Sequence, residues 1–283
     1  MIKELGNIQI TLTVEESKSI IALGILKHPL VVAALDEGKI LFKGGTTVSK
    51  ITEKLFGVPL RISGRITNRG TVSSKDIVQG PHSILYIRGK WINIDDIIAE
   101  ESLNLNKNDL VICGANAIDN FGNAAMMAGS PGGGKVGQSI GAWSSETGNI
   151  LIPVGIEKMI PGDLRNIIKK SNRHGKSISW GMSVGLLPLV GEIFTEIDAI
   201  KLLADVDCYP IGSGGLFEAN GSITLEIIPY TKDDYEKIIQ ILKELKSEPS
   251  KISGIDESLI ECKAPCQNCS RHMGCGYKRK EIN

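Results

Sequence analysis

Four of the six cysteines crowd the carboxy-terminal end of the 283-residue chain: Cys262, Cys266, Cys269 and Cys275, spaced C-x3-C-x2-C-x5-C. Thiols in such a run either pair as disulfides or bind metal. The compartment argues against disulfides. Residues 1–5 lack the charged and apolar regions of a secretory leader, and no apolar run reaches the roughly 18 residues of a membrane span. The expected location is cytoplasmic, with no membrane partner, and cytosolic thiols stay reduced. Four soft thiolates within one short segment then read as a single metal site.

Zinc bound by four thiolates usually takes two C-x2-C knuckles separated by a hairpin. Here there is one such step and no room for the hairpin. Iron–sulfur ligation tolerates one winding loop, and Pro265, Gly274 and Gly276 suit it. The expected cofactor is a [4Fe–4S] cluster, with zinc as the alternative and His272 as a possible ligand swap. The surrounding cations Lys263, Arg271, Lys278, Arg279 and Lys280, set against Glu281, leave this tail at +4. They would offset the negative charge of the thiolates. The first three cysteines share the C-x3-C-x2-C spacing of radical S-adenosylmethionine enzymes. Those enzymes need a long β/α barrel around the cluster, however, and only 14 residues follow Cys269. With a fourth cysteine to close the shell, the expected role is electron transfer, sensing or structure, with a redox partner protein possible.

A second group of residues fits anion chemistry. Lys43-Gly44-Gly45-Thr46-Thr47 joins a short apolar strand (39–42) to an amphipathic helix (48–56). A strand, a glycine turn and a hydroxyl-rich helix start present free N–H groups and a positive dipole end to an anion. An ordinary βα turn has the same composition. The apolar strand 109–113 reads as central and parallel. It runs into a loop carrying Asn116, Asp119 and Asn123, where ligands of open α/β sheets gather. Gly132, Gly133, Gly134 and Lys135 then suggest a loop wrapped closely around a ligand, or a surface lid. It is not a Walker A loop, because Val136 replaces the required Ser or Thr. Arg65 and Arg69 are candidate anion clamps or plain strand residues. Asp119 is the candidate general base, provided burial raises its pKa, and Lys135 the stabiliser of developing negative charge. Glu192 and Glu196 read as exposed helix carboxylates.

These residues need a scaffold. The chain is 42% hydrophobic and 23% charged with zero net charge. That is a globular profile, and it argues against a nucleic-acid binder working by phosphate neutralisation. Alternating strands and helices predict an α/β fold: an open, mostly parallel sheet flanked by helices, with a smaller α+β lobe and a metal-binding tail. The expected units are residues 1–188 for ligand binding, 189–250 for the lobe and 251–283 for the four-cysteine tail. Cys113 and Cys208 read as buried small hydrophobes, and residues 212–215 as a glycine turn.

Three stretches together resemble the superfamily of ribose-5-phosphate isomerase, glucosamine-6-phosphate deaminase and CoA transferases. They are Ile40-Leu-Phe-Lys-Gly-Gly-Thr-Thr47, Val111-Ile-Cys-Gly-Ala-Asn-Ala-Ile-Asp119 and Gly132-Gly-Gly-Lys135. The chain departs from that pattern at Asn116, where the superfamily is acidic. The lysine also follows the glycines, and the nearest Glu–Lys pair, Glu157-Lys158, lies beyond the next strand. The resemblance implies an isomerase- or transferase-type enzyme acting on a small anionic metabolite such as a sugar phosphate or carboxylate. The alternatives are a metabolite-binding redox sensor or partner-docking protein, and a zinc-clamped structural tail.

Overall fold

The computed structural model describes residues 6–74, 79–248 and 251–256. The chain begins with β1 (Ile8–Leu12), α1 (Val14–Ile25), α2 (Pro29–Asp36), β2 (Lys39–Lys43) and α3 (Thr46–Phe56). Two hairpins follow, β3 (Gly64–Thr67) with β4 (Gly70–Ser73) and β5 (Ser83–Ile87) with β6 (Lys90–Asn93). Next come α4 (Ile98–Leu103), β7 (Leu110–Cys113), β8 (Ala117–Ile118), β9 (Ala124–Ala128), α5 (Gly134–Ala142) and β10 (Ile150–Pro153). The remainder comprises α6 (Leu164–Lys170), β11 (Gly185–Leu189), β12 (Glu192–Phe194), α7 (Glu196–Leu203), β13 (Val206–Gly214), β14 (Ser222–Pro229) and α8 (Lys232–Ser247).

Local chemistry sets several of these boundaries. Thr13 caps α1 through a capping box: its hydroxyl accepts the Glu16 N–H at 3.3 Å, and the Glu16 carboxylate accepts the Thr13 N–H at 2.8 Å. α3 begins at Thr46, two residues earlier than its apolar pattern predicts, and ends at Gly57 in the left-handed conformation. At the start of α4 only Ile98 is buried, while Ile97 faces outward.

The fold is mixed α/β around a six-stranded mixed sheet of order β12-β10-β7-β2-β5-β6. The four strands β12, β10, β7 and β2 are parallel, and the β5–β6 hairpin adds antiparallel to β2. All four residues of β7 are buried, as a strand covered on both faces requires. After β2 the chain builds β5 and β6 on one side, then returns to place β7 on the other. The strand order therefore reverses between β2 and β7, the position where open α/β sheets hold ligands.

Three smaller sheets surround this one. β1-β14-β13 is antiparallel, β11-β9-β8 is antiparallel, and β3-β4 is a hairpin. The boundary expected at 188/189 is crossed in both directions. β12 is an edge strand of the main sheet, whereas β1, from the start of the chain, pairs with β14 from Ile8 opposite Ile227 to Leu12 opposite Ile223. One apolar core runs continuously from β1, α1 and β2 to α7, β14 and α8. The second core covers the other face of the sheet around Trp143, whose indole N–H donates to Ser102 Oγ at 2.8 Å. The turn expected at 212–215 is instead mostly strand. β13 continues through Gly214, paired to β14 across a register shift between Pro210 and Gly212. Cys113 and Cys208 are buried free thiols.

No single helix among the described residues is long and apolar enough to cross a membrane. The tail is described only as far as residue 256. Its root is hydrogen-bonded to the body, from the Gly254 N–H to Glu53 Oε1 at 3.1 Å and from the Ile255 N–H to the Leu60 carbonyl at 3.0 Å. Cys262, Cys266, Cys269 and Cys275 lie outside the described residues.

Candidate functional site: a cationic cavity at the sheet switch point

A cavity of about 460 Å3 opens at the carboxyl ends of β2, β7 and β10, within the range of small-molecule sites. Its base is the turn from β2 into α3. Lys43 ends β2 in register with Cys113 of β7. Gly44 is required by close approach, since a Cβ there would run into the carbonyl oxygen and imidazole of His82. Gly45 is the extended N-cap of α3, and no side chain caps the helix. Its first-turn amides are therefore left for a ligand, with Thr46 and Thr47 beside them on the cavity wall.

The opposite wall comes from β9 and the turn that follows it. Asn116 holds this wall in place, its Oδ1 accepting the Met127 N–H at 2.8 Å. Gly132, Gly133 and Gly134 have φ of 60°, 78° and 65°. Three successive left-handed residues explain the glycine run by backbone conformation. The run ends with Gly133 as the N-cap of α5, again without a side-chain cap and without an acidic residue in the first turn. Two uncapped helix starts thus border one cavity, each carrying the positive end of its dipole. A third wall is β3–β4, with Arg65. The segment around Met182 closes over it: the Met182 N–H donates to the Thr71 carbonyl at 2.6 Å and the Thr71 hydroxyl donates back to the Met182 carbonyl.

The ionisable lining is mainly basic: Lys18, Lys43, Arg65 and Lys158 against Glu15 and Glu157. Lys18 pairs with Glu15 at 2.6 Å, and Lys158 lies 4.0 Å from Glu157. Glu15 Oε2 and Glu157 Oε2 are buried with no hydrogen-bond partner among the described residues. Burial pulls the Lys43 ammonium pKa below its ordinary value, and the Lys158 charge lowers it further, against the opposing pull of Cys113. Burial likewise lowers Lys158, opposed by Glu157. His82 falls to about 4, through burial first and the Lys43 charge second. Its Nδ1 lies 2.7 Å from the Arg61 carbonyl and so is the protonated nitrogen, which leaves Nε2 to accept from Ser63 Oγ at 3.3 Å. Behind this wall Glu196 is fully buried, and burial raises its pKa to about 7.

The structure sorts the sequence-derived candidates into two groups. Gly44, Gly45, Thr46, Thr47, Asn116 and Gly133 line the cavity, and Gly132 and Gly134 flank Gly133 in its turn. Asp119, Asn123 and Lys135 are absent from the lining. Asp119 is a buried structural carboxylate. It accepts the Phe121 and Asn123 N–H groups at 2.9 Å, the Asn123 amide at 2.8 Å and the Leu164 N–H at 2.8 Å. Burial alone would raise its pKa, but these donors outweigh it and hold the group at about 2. The raised pKa that a general base needs is therefore reversed. Lys135 points to the surface, where its ammonium meets Asp96 at 2.8 Å. Glu196, expected on an exposed helix face, is fully buried, and Glu192 lies in β12 with Oε1 3.1 Å from His28 Nε2.

Glu157 and Lys158, set aside for their distance along the chain, are in the cavity. Both follow β10, a buried parallel strand, and the rule that ligands gather at strand carboxyl ends was the available signal. Lys18, Glu15 and His82 carried no signal, because their proximity depends on how α1 and β5 pack.

Comparison of the chain with protein families, with curated proteins and with solved structures gives no match. Fold and site together describe a mixed α/β protein with a basic cavity at its sheet switch point.

Proposed function

We propose that this protein binds a small anionic metabolite, a sugar phosphate or a carboxylate, in the cavity between α3 and α5, and acts on it as an isomerase- or transferase-type enzyme. The observation that carries the reading is the joint presence of Lys43, Lys158 and two uncapped helix starts around one cavity. Basic side chains outnumber acidic ones in that lining, four to two, which complements a phosphate monoester or dicarboxylate. Glu157, with one oxygen lacking a partner among the described residues, replaces Asp119 as the carboxylate placed to move a proton. Lys158 and Lys43 would stabilise negative charge developing on the ligand. The resemblance to the isomerase, deaminase and CoA-transferase superfamily supports the same class of ligand.

The four-cysteine tail belongs to the proposal as a [4Fe–4S] site. Its support is the donor set itself, four thiolates in one loop with basic neighbours. A redox-sensing role has one observation in its favour: Ile252, in the root of the tail, lines the cavity.

Phosphorus NMR tests the binding reading. Ribose 5-phosphate and inorganic phosphate should broaden on addition of the protein and stay sharp with the Lys43→Met variant. Equal spectra for the two proteins would remove the assignment.

A further inference from the structure

We infer that Lys43 is an imine-forming lysine, and that the ligand of this cavity carries a carbonyl group as well as an anionic one. The inference rests on the anion-binding reading for its ligand but not for its reactive amine. Three observations place the amine. Lys43 ends β2 at the sheet switch point and lines the cavity. It has no hydrogen-bond or ion-pair partner among the described residues, whereas Lys18 and Lys158 each face a glutamate. A second lysine, Lys158, lines the same cavity and repels its charge. Burial and a neighbouring cation both favour the neutral amine, which is the form that attacks carbonyl carbon.

The groups around it bear on the proton inventory. Cys113 comes from β7, His82 from the residue before β5, Lys158 and Glu157 from the turn after β10, and Glu15 and Lys18 from α1. Burial raises the Cys113 thiol to about 12 and lowers His82 to about 4, so both are neutral near pH 7. In the step itself, the Nζ lone pair of Lys43 adds to the carbonyl carbon to give a carbinolamine. Loss of the former carbonyl oxygen as water leaves the C=N bond. Glu157 relays both N–H protons in turn to that oxygen, one as the carbinolamine forms and one as water departs, so amine and carbonyl give a neutral imine and water without any oxidant or reductant. Protonated from solvent, the imine becomes an iminium that can withdraw electrons from the neighbouring carbon. The two uncapped helix starts, of α3 and α5, would hold the ligand's acidic group meanwhile.

Borohydride trapping tests this on the full-length protein. Pyridoxal 5′-phosphate, an aldehyde bearing a phosphate, and formaldehyde, an aldehyde bearing no charge, are each reduced onto the protein near pH 7, and the labelled peptides are mapped by mass. Lys43 should label faster than the exposed Lys232, because burial and the neighbouring Lys158 lower its pKa. In Lys158→Met, folded by circular dichroism, the pH profile of Lys43 labelling should move to higher pH. Preferential labelling by formaldehyde but not by pyridoxal 5′-phosphate would keep the reactive amine and overturn the anion site. Lys43 labelling no faster than Lys232 with both reagents would overturn the imine proposal and leave the phosphate-binding test standing separately. An unshifted profile in Lys158→Met would overturn the role given to the second cation.

Discussion

The Glu196 carboxylate accepts the Ile156 backbone N–H at 3.0 Å, tying the start of α7 to the turn that carries Glu157 and Lys158. A carboxylate with no exposure is thereby placed behind the cavity wall, and burial raises its pKa to about 7 from an ordinary 4.5. A raised acid favours the folded state most when protonated. Its effect is most favourable below the unfolded pKa and is lost as pH rises through about 7. Between roughly pH 4 and pH 8 the protein should lose about 3 kcal/mol through this group. Glu196→Gln, which keeps an acceptor for Ile156, should be close to wild type near pH 4 and gain stability relative to it near pH 8. Urea unfolding at both pH values reads this directly; parallel pH curves for the two proteins would refute it.

Asp119 has the opposite sign. Its carboxylate is held at about 2, so it stabilises the fold above about pH 4, and that stabilisation is lost as pH falls towards 2. Asp119→Ala strands the Phe121, Asn123 and Leu164 donors and should cost about 3 kcal/mol at neutral pH. Denaturant melts would show it. A loss below about 0.5 kcal/mol would mean that the four donors find water instead.

The glycine turn before α5 separates backbone strain from packing. A Cβ on Gly132, at φ 60°, meets nothing within 4 Å, whereas one on Gly133, at φ 78°, runs into the Leu187 side chain. Gly132→Ala should cost about 1 kcal/mol from conformation alone. Gly133→Ala adds an overpacking penalty of roughly 1–3 kcal/mol and should also weaken phosphate binding by moving the α5 start. Equal stabilities for the two variants would contradict this account of the turn.

For the tail, the protein purified without air should be brown, with a broad absorbance near roughly 400 nm. Substituting Cys266 and Cys269 with Ser should leave it colourless with the α/β body still folded. A colourless wild-type protein holding one equivalent of zinc would replace the cluster with a structural clamp.

Much of the fold was readable because its signals are local. Thr13 and Glu16 announce α1 within four residues, and the unbroken apolar run of β7 announces a strand buried on both faces. β9 gives no such signal, because Ala124–Ala128 contains no β-branched residue, and neither does β12, whose three residues are too few to show alternation. The base of the site was readable for the same reason: a strand, two glycines and a helix start are contiguous from Lys43 to Thr47. The rest of it was not. Lys158 lies more than 100 residues from Lys43, and only the parallel order β10-β7-β2 brings their strand ends to one cavity. Asp119 misled because its type and position fit a base, while the Leu164 N–H that fixes its role comes from a helix 45 residues away.

The anion site is tested most directly by diffraction from crystals soaked in tungstate, a heavy phosphate analogue visible by its anomalous scattering. The site described here requires a peak within the cavity, in hydrogen-bonding reach of the α3 first-turn amides and of Lys43, and its loss in Lys43→Met crystals. Tungstate bound elsewhere on the protein, with the cavity between α3 and α5 empty, would contradict it.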